Sequence, residues 1–172
     1  NSMPDYNLGL GTTLTWKGLS VYALLSRSAG FDIYNQPLQW GTFRRFSGIF
    51  DQTKVPEGER KPVGYYDAWY GVSGLVPSSI FVEDGTFTKL REVAVNYRFG
   101  PDLIDRVPGL NRFNSIGINL VGRNLFTWSD YRGYDPDLGD SGGDTGSAAI
   151  ARVDGYNSPN FRSLTAAIEF IF

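Results

Sequence analysis

Residues Phe161 to Phe172 read F-R-S-L-T-A-A-I-E-F-I-F, and this stretch decides the fold. Leu164, Ala166, Ile168, Phe170 and Phe172 fall on one side of an extended chain; Ser163, Thr165, Ala167 and Glu169 fall on the other. Side chains alternate faces in a strand, so the pattern gives one apolar and one polar face. A soluble sandwich accepts the same pattern. A last strand that keeps its alternation to a final aromatic is what a closed barrel needs, because an unpaired edge is not tolerated in lipid. The expectation is the closing strand of an outer-membrane barrel, with Phe170 and Phe172 as its C-terminal barrel signal.

Four further stretches carry the same period. Tyr6 to Trp16 sets Tyr6, Leu8, Leu10, Leu14 and Trp16 against Asn7, Gly9, Gly11, Thr13 and Thr15. Lys17-Gly18 is a two-residue hairpin signal, and a second strand runs from Leu19 to about Arg27. Thr86 to Phe99 places Val93, Val95, Tyr97 and Phe99 in an apolar row, with Lys89 and Arg91 continuing it upstream and Glu92, Asn96 and Arg98 opposite. Ser115 to about Trp128 is the fourth strand, and one helical turn is expected within Asp102 to Arg106. From about Asn35 to Val82 the pattern dissolves, and Asp130 to Asn160 is a second long loop, rich in Gly and Asp. Connections this long are unusual in a compact soluble domain and ordinary outside a barrel. Bacterial barrels have short periplasmic turns and longer outer loops, so Lys17-Gly18 is expected on the periplasmic side.

Bulk composition narrows the function. The chain has 172 residues with a net charge of −2, which offers no basis for nucleic-acid binding. Cysteine and histidine are absent, so a disulfide scaffold, Cys or His metal sites and His-dependent catalysis are excluded. Aromatic residues make up 15% and Gly 21 of the 172 positions, which favours turn-rich β structure with aromatic bands. No apolar run approaches the ~18 residues of a spanning helix. No signal peptide is read at Asn1, so the expectation is a mature or cut piece of a longer chain. Five strands cannot close a barrel, for which about eight is the minimum.

The stretch Gly122-Arg123-Asn124-Leu125-Phe126-Thr127-Trp128-Ser129-Asp130-Tyr131-Arg132-Gly133-Tyr134-Asp135-Pro136-Asp137 resembles the C-terminal part of the SusC/RagA family of TonB-linked outer-membrane proteins. That family carries an N-L-F-T-W-x-x-Y-x-G-Y-D-P-E-like stretch, and Asp137 stands here where Glu is common. Pro4-Asp5-Tyr6 with Lys17-Gly18, Ala29-Gly30 with Tyr34-Asn35, and Val82-Glu83-Asp84-Gly85-Thr86-Phe87 before Lys89-Leu90-Arg91 agree in order. The resemblance covers nearly the whole chain; Gln36 to Val76 and Leu138 to Ser158 show no match. It implies an all-β, antiparallel, up-and-down transmembrane β-barrel of about 22 strands. Residues 1–172 would be its C-terminal segment of about five strands, with the plug domain and TonB box outside the chain. It also implies the outer membrane of a Gram-negative bacterium, lipid and lipopolysaccharide around the wall, a SusD-like surface lipoprotein lid, TonB engaged through a missing N-terminal region, and import of oligosaccharides or peptides. No cofactor is implied, and the chain is not expected to be an enzyme.

Within the motif, Asn124, Leu125, Phe126, Tyr131, Gly133, Asp135 and Pro136 are read as structural, with Trp128, Tyr131 and Tyr134 near an outer aromatic girdle. Asp135, Asp137, Asp140 and Asp144 have the oxygen ligands of a Ca²⁺ site but miss the EF-hand spacing, which favours a solvated acidic loop and no metal. Trp40, Tyr65, Tyr66, Trp69 and Tyr70 are the candidates for contact with a ligand or the lid, weighed against packing between loops. The acid pairs Glu57/Glu59 and Asp102/Asp105 lie in exposed-looking turns with nothing to shift a pKa. The competing reading is a free-standing small barrel or sandwich that binds through its aromatic loops.

Overall fold

The computed structural model describes residues 1–46, 48–67, 78–110, 112–138 and 152–172. They form two compact units. One, the sheet unit, comprises Tyr6–Ser28, Phe87–Trp128 and Asn160–Phe172; the other, the loop unit, comprises Asn1–Asp5, Ala29–Thr86 and Ser129–Pro159.

The sheet unit holds β1 (Tyr6–Trp16), β2 (Leu19–Ala29), β5 (Phe87–Phe99), β6 (Ser115–Ser129) and β8 (Ser163–Ile171), in the spatial order β1-β2-β5-β6-β8. All five expected strands are present at nearly the expected bounds. Each is followed in space by the next of the five, as up-and-down strands require. At the β1–β2 hairpin Lys17 (φ 44°) and Gly18 (φ 86°) both take positive φ, the conformation that matches the right-handed strand twist. Between β5 and β6 a short helix, Pro101–Ile104, supplies the expected helical turn.

Cross-strand pairs show which residues share a face, since directly opposed side chains lie on the same side. Leu19–Tyr97, Val21–Val95, Ala23–Val93 and Leu25–Leu90 make an apolar row across β2 and β5. Ile116–Phe170, Ile118–Ile168 and Leu120–Ala166 do so across β6 and β8. The other face carries Ser20–Asn96, Leu24–Glu92, Gly117–Glu169 and Arg123–Ser163. There the Arg123 Nε donates to Glu92 Oε2 at 2.8 Å.

The register corrects one expectation. Leu24 pairs with Glu92 and Leu25 with Leu90, so Arg91 is the extra residue of a β-bulge. One additional residue reverses the alternation. Leu90 therefore continues the apolar row, and Lys89, opposite Ser26, moves to the polar face. Arg91 joins it there through an Nε hydrogen bond of 2.7 Å to Ser26 Oγ. Both cations lie over the Phe87 ring, Lys89 Nζ at 5.7 Å and the Arg91 guanidinium carbon at 6.0 Å from its centre. A second slip occurs in β6 at Asn124, whose φ is 52°. Three residues after Gly122, Leu125 lines the same apolar hollow as Gly122, Leu120 and Leu164. Asn tolerates left-handed backbone better than most residues.

The apolar face is uncovered. Leu10 is 63% exposed, Ile168 63% and Leu164 81%, while β1 and β8 are exposed along their whole lengths.

The loop unit overturns the expectation of patternless loops. It holds a three-stranded sheet ordered β4-β3-β7, from β3 (Asp32–Asn35), β4 (Val82–Asp84) and β7 (Val153–Asp154), with α1 (Gln36–Phe43) and α2 (Val63–Asp67). Strand β4 is antiparallel and β7 parallel to β3. Phe31, Ile33 and Phe81 are buried in its core. Asn35 caps α1: its Oδ1 accepts the Leu38 N–H at 2.9 Å, and proline stands in the first turn, where its missing N–H costs nothing. No described helix is long and apolar enough to cross a membrane.

Candidate functional site

The polar centre of the loop unit is built by residues far apart in sequence. Glu83 on β4 is the hub. Its Oε2 accepts the Arg132 backbone N–H at 3.0 Å, and its Oε1 accepts Arg132 Nε at 3.1 Å and Asn35 Nδ2 at 3.0 Å. Beside it Tyr131 donates its hydroxyl to Asp154 Oδ2 at 2.7 Å. The other Asp154 oxygen accepts the backbone N–H groups of Tyr156 and Asn157 at 3.1 and 3.3 Å. Asn35 and Asp154 are a register pair in the β3–β7 ladder, and both are almost fully buried. A buried carboxylate persists only when its oxygens are satisfied. Burial, followed by the hydrogen bond to Asp154 and the charges of Asp154 and Glu83, drives the Tyr131 phenol far above its ordinary pKa.

Tyr131 therefore turns into the loop unit, not toward an exposed aromatic girdle, because its hydroxyl satisfies a buried carboxylate. Gly133 lies against the Tyr131 ring so closely that any Cβ there would collide with it. Asp135 and Pro136 are also buried, and Asp135 Oδ1 accepts the Asp137 N–H at 3.0 Å in a turn. That corrects the solvated reading for Asp135; Asp140 and Asp144 lie outside the described residues. No cluster of acids suited to a metal ion occurs among the described residues. Tyr134, by contrast, is 77% exposed. In the sheet unit, Asn124 Nδ2 donates to the Phe161 carbonyl at 3.1 Å, tying β6 to the approach of β8. Phe126 and Trp128 stack at 6.0 Å, both more than half exposed. At the far end of β8, Phe113 packs on Phe170 and Phe172 at 5.1 and 4.8 Å between ring centres.

The candidate contact aromatics divide. Tyr66 is buried, with edge contacts to Phe50 and Tyr65. Tyr65 is 47% exposed, with Lys61 Nζ at 5.7 Å from its ring centre. Trp40 is half-buried on α1, edge-on to Phe43 and under the Arg44 guanidinium. Trp69 and Tyr70 lie outside the described residues. Glu57, Glu59, Asp102 and Asp105 are exposed, as their turn contexts suggest. An open cleft of about 360 Å³ runs beside α1, between Leu38 and Gly41 on one side and Arg132 and Tyr134 on the other.

Sequence reasoning missed Asp154 and the role of Glu83 and Asn35 as structural partners. A signal was present for α1: Asn35 before Pro37 is a helix-start pattern. None was present for Asp154, whose partner Tyr131 lies 23 residues upstream.

Three TonB-dependent receptors of Formosa agariphila align with the chain. Receptor P26 is 29% identical over 178 residues, covering 99% of the chain; P39 is 24% identical over 83% of it, and P3 is 24% identical over 98%. Among solved structures, the RagAB peptide importer superposes in its open-open state with a TM-score of 0.67 at 20% identity over 99% of the chain. Its closed-closed state gives 0.63 at 19% identity. The chain is similar to TonB-dependent receptors. No family model matches it. It spans only 17%, 14% and 16% of the three receptors' lengths. The five-stranded sheet has the fold of part of a barrel. Three of the stretches that carried the resemblance, Tyr34-Asn35, Val82 to Thr86 and Tyr131 to Asp135, contribute to the loop unit, where Glu83 bonds to both Asn35 and Arg132.

Proposed function

We propose that residues 1–172 form the C-terminal segment of the barrel of an outer-membrane TonB-dependent importer, contributing wall strands and two extracellular loops. The observation that carries this reading is the uncovered apolar face. Ile118, Leu164 and Ile168 are exposed side chains in a regular row, and a free-standing module would bury them under a second layer. In lipid that row costs nothing, whereas an Arg or Lys in it at mid-depth costs roughly 2–4 kcal/mol. The bulge at Arg91 fits this economy by moving Lys89 and Arg91 off the row. The polar face, with Ser20, Asn96, Arg98, Asn119 and Glu169, lines the lumen. Lys17-Gly18 and the Phe172 end lie on the periplasmic side.

The cargo is an oligosaccharide or a peptide. The partners are a SusD-like lipoprotein lid and TonB, the latter reached through sequence outside this chain. Of the candidate aromatics, Trp40 and Tyr65, each with a cation over its ring, are the described ones best placed for ligand or lid contact; Tyr66 packs against Tyr65. The test uses the full-length protein in its host. It should fractionate with the outer membrane, and its deletion should abolish uptake of the labelled oligosaccharide or peptide that supports growth. A full-length protein recovered from the soluble fraction would end the reading. Trp40→Ala with Tyr65→Ala should weaken uptake or lid co-purification; no change in either removes these two residues from the contact surface.

A further inference from the structure

Among the described strands of the sheet unit, one charged side chain stands on the apolar face. Lys89, Arg91, Glu92, Arg98, Arg123 and Glu169 are all on the polar side. Arg27 follows Leu25 by two residues on β2 and pairs with Thr88, so it continues the row of Val21, Ala23 and Leu25. Its partners confirm the side. Nε donates to the Tyr6 hydroxyl at 3.1 Å, and Tyr6 belongs to the Leu8–Leu10 row of β1; Nη1 donates to Thr88 Oγ1 at 2.9 Å. Arg27 is exposed and Tyr6 is 50% exposed. Two neutral hydroxyls hold the guanidinium in one orientation and leave its charge uncompensated. The Nη2 end of the fork has no partner among the described residues.

Height along the wall places this group. Leu19 opens β2 at the hairpin, and Arg27 lies eight residues on. At ~3.3 Å per residue and a tilt of about 40°, it stands about 20 Å above the hairpin end. The apolar band of such barrels is about 25 Å tall. Arg27 therefore sits at the far rim of the band. On the proposed importer reading, on which this inference rests, that rim faces the outer leaflet. A planar, pre-oriented guanidinium beside a tyrosine at headgroup level suits an oxyanion that arrives on a lipid.

We propose that Arg27, oriented by Tyr6 and Thr88, is a docking point for the phosphate of an outer-leaflet lipid against the barrel wall. The test uses the full-length protein in phosphatidylcholine nanodiscs doped with diphosphorylated lipid A or with its dephosphorylated form. Retention through detergent extraction is read by native mass spectrometry. Wild type should retain the phosphorylated form at least about tenfold better than Arg27→Gln, the factor one charge-assisted hydrogen bond supplies. Both proteins should retain the dephosphorylated form equally. Arg27→Lys should keep part of the preference. Tyr6→Phe, which removes one orienting contact and leaves the charge, should keep most of it. Equal retention by wild type and a heat-modifiable, folded Arg27→Gln barrel overturns the lipid site and leaves the importer reading standing. A full-length protein absent from the outer membrane overturns both.

Discussion

The sheet unit and the loop unit satisfy their backbones in different ways. In the sheet unit, long strands pair edge to edge, and side chains are sorted by a period of two into an apolar and a polar side. Leu10, Ile118, Leu164 and Ile168 are exposed, and every charge on its described strands except Arg27 lies on the other face. In the loop unit, strands of two to four residues are too short to hold by ladder bonds, and buried polar side chains join them. Asn35, Glu83, Tyr131 and Asp154 occupy the interior there. One unit places oil outside and the other places charge inside. The first arrangement suits a surface that meets hydrocarbon, and the second suits a unit that packs around its own polar interior.

The largest way to break this comparison is to put charge on the wrong face. In full-length protein refolded into lipid vesicles, Ile118→Arg should cost about 2–4 kcal/mol of stability, measured by urea titration. Asn119→Arg, one residue on and facing the other way, should cost under about 1 kcal/mol. Equal costs would mean that the two faces see the same surroundings.

Next in size, Tyr131→Phe strips a hydrogen bond from buried Asp154 and should destabilise the loop unit by roughly 1–3 kcal/mol. Hydrogen exchange should speed up in β3 and β7 while β6 and β8 keep their protection. Uniform loss across both units would show that they unfold together. Alkali sharpens the same contrast. The folded phenol of Tyr131 ionises far above the unfolded value of about 10. Below that value the residue is neutral in both states and its contribution is intact. As pH rises past about 10, the unfolded chain ionises first and the contribution is lost. Wild-type loop-unit protection should fall above about pH 10 more steeply than that of Tyr131→Phe.

Removing the Asn35 cap by Asn35→Ala also removes a partner of Glu83, and should cost about 1–2 kcal/mol in the loop unit. The smallest effect belongs to Glu92→Gln. Its ion pair with Arg123 is partly exposed, so roughly 0.2–1 kcal/mol is expected, falling with added salt.

Legibility followed the range of the interactions. Alternation in Tyr6–Trp16, Ser115–Ser129 and Ser163–Ile171 is a local property of the chain, and the strand bounds read from it match the structure closely. The bulge at Arg91 is not local. It arises because Leu25 opposes Leu90 across β2, and no count along β5 alone reveals the reversal that carries Lys89 to the polar face. Among the site residues, the motif around Tyr131 was visible as a pattern, but its role was not. A girdle tyrosine and a buried hydrogen-bond donor look the same until Asp154 is brought beside the hydroxyl.

By itself the sequence determined the five long strands of the sheet unit, the two-faced character of each and the likeness to TonB-dependent receptors, because these depend on side-chain period and short motifs. Tertiary structure alone decided that Lys89 and Arg91 leave the apolar row, that Arg27 stays on it, and that Glu83 and Asp154 anchor the loops. The physical reason is that register and buried pairing are set between segments distant in sequence, where one extra residue or one aligned hydroxyl changes which side of the wall a charge occupies.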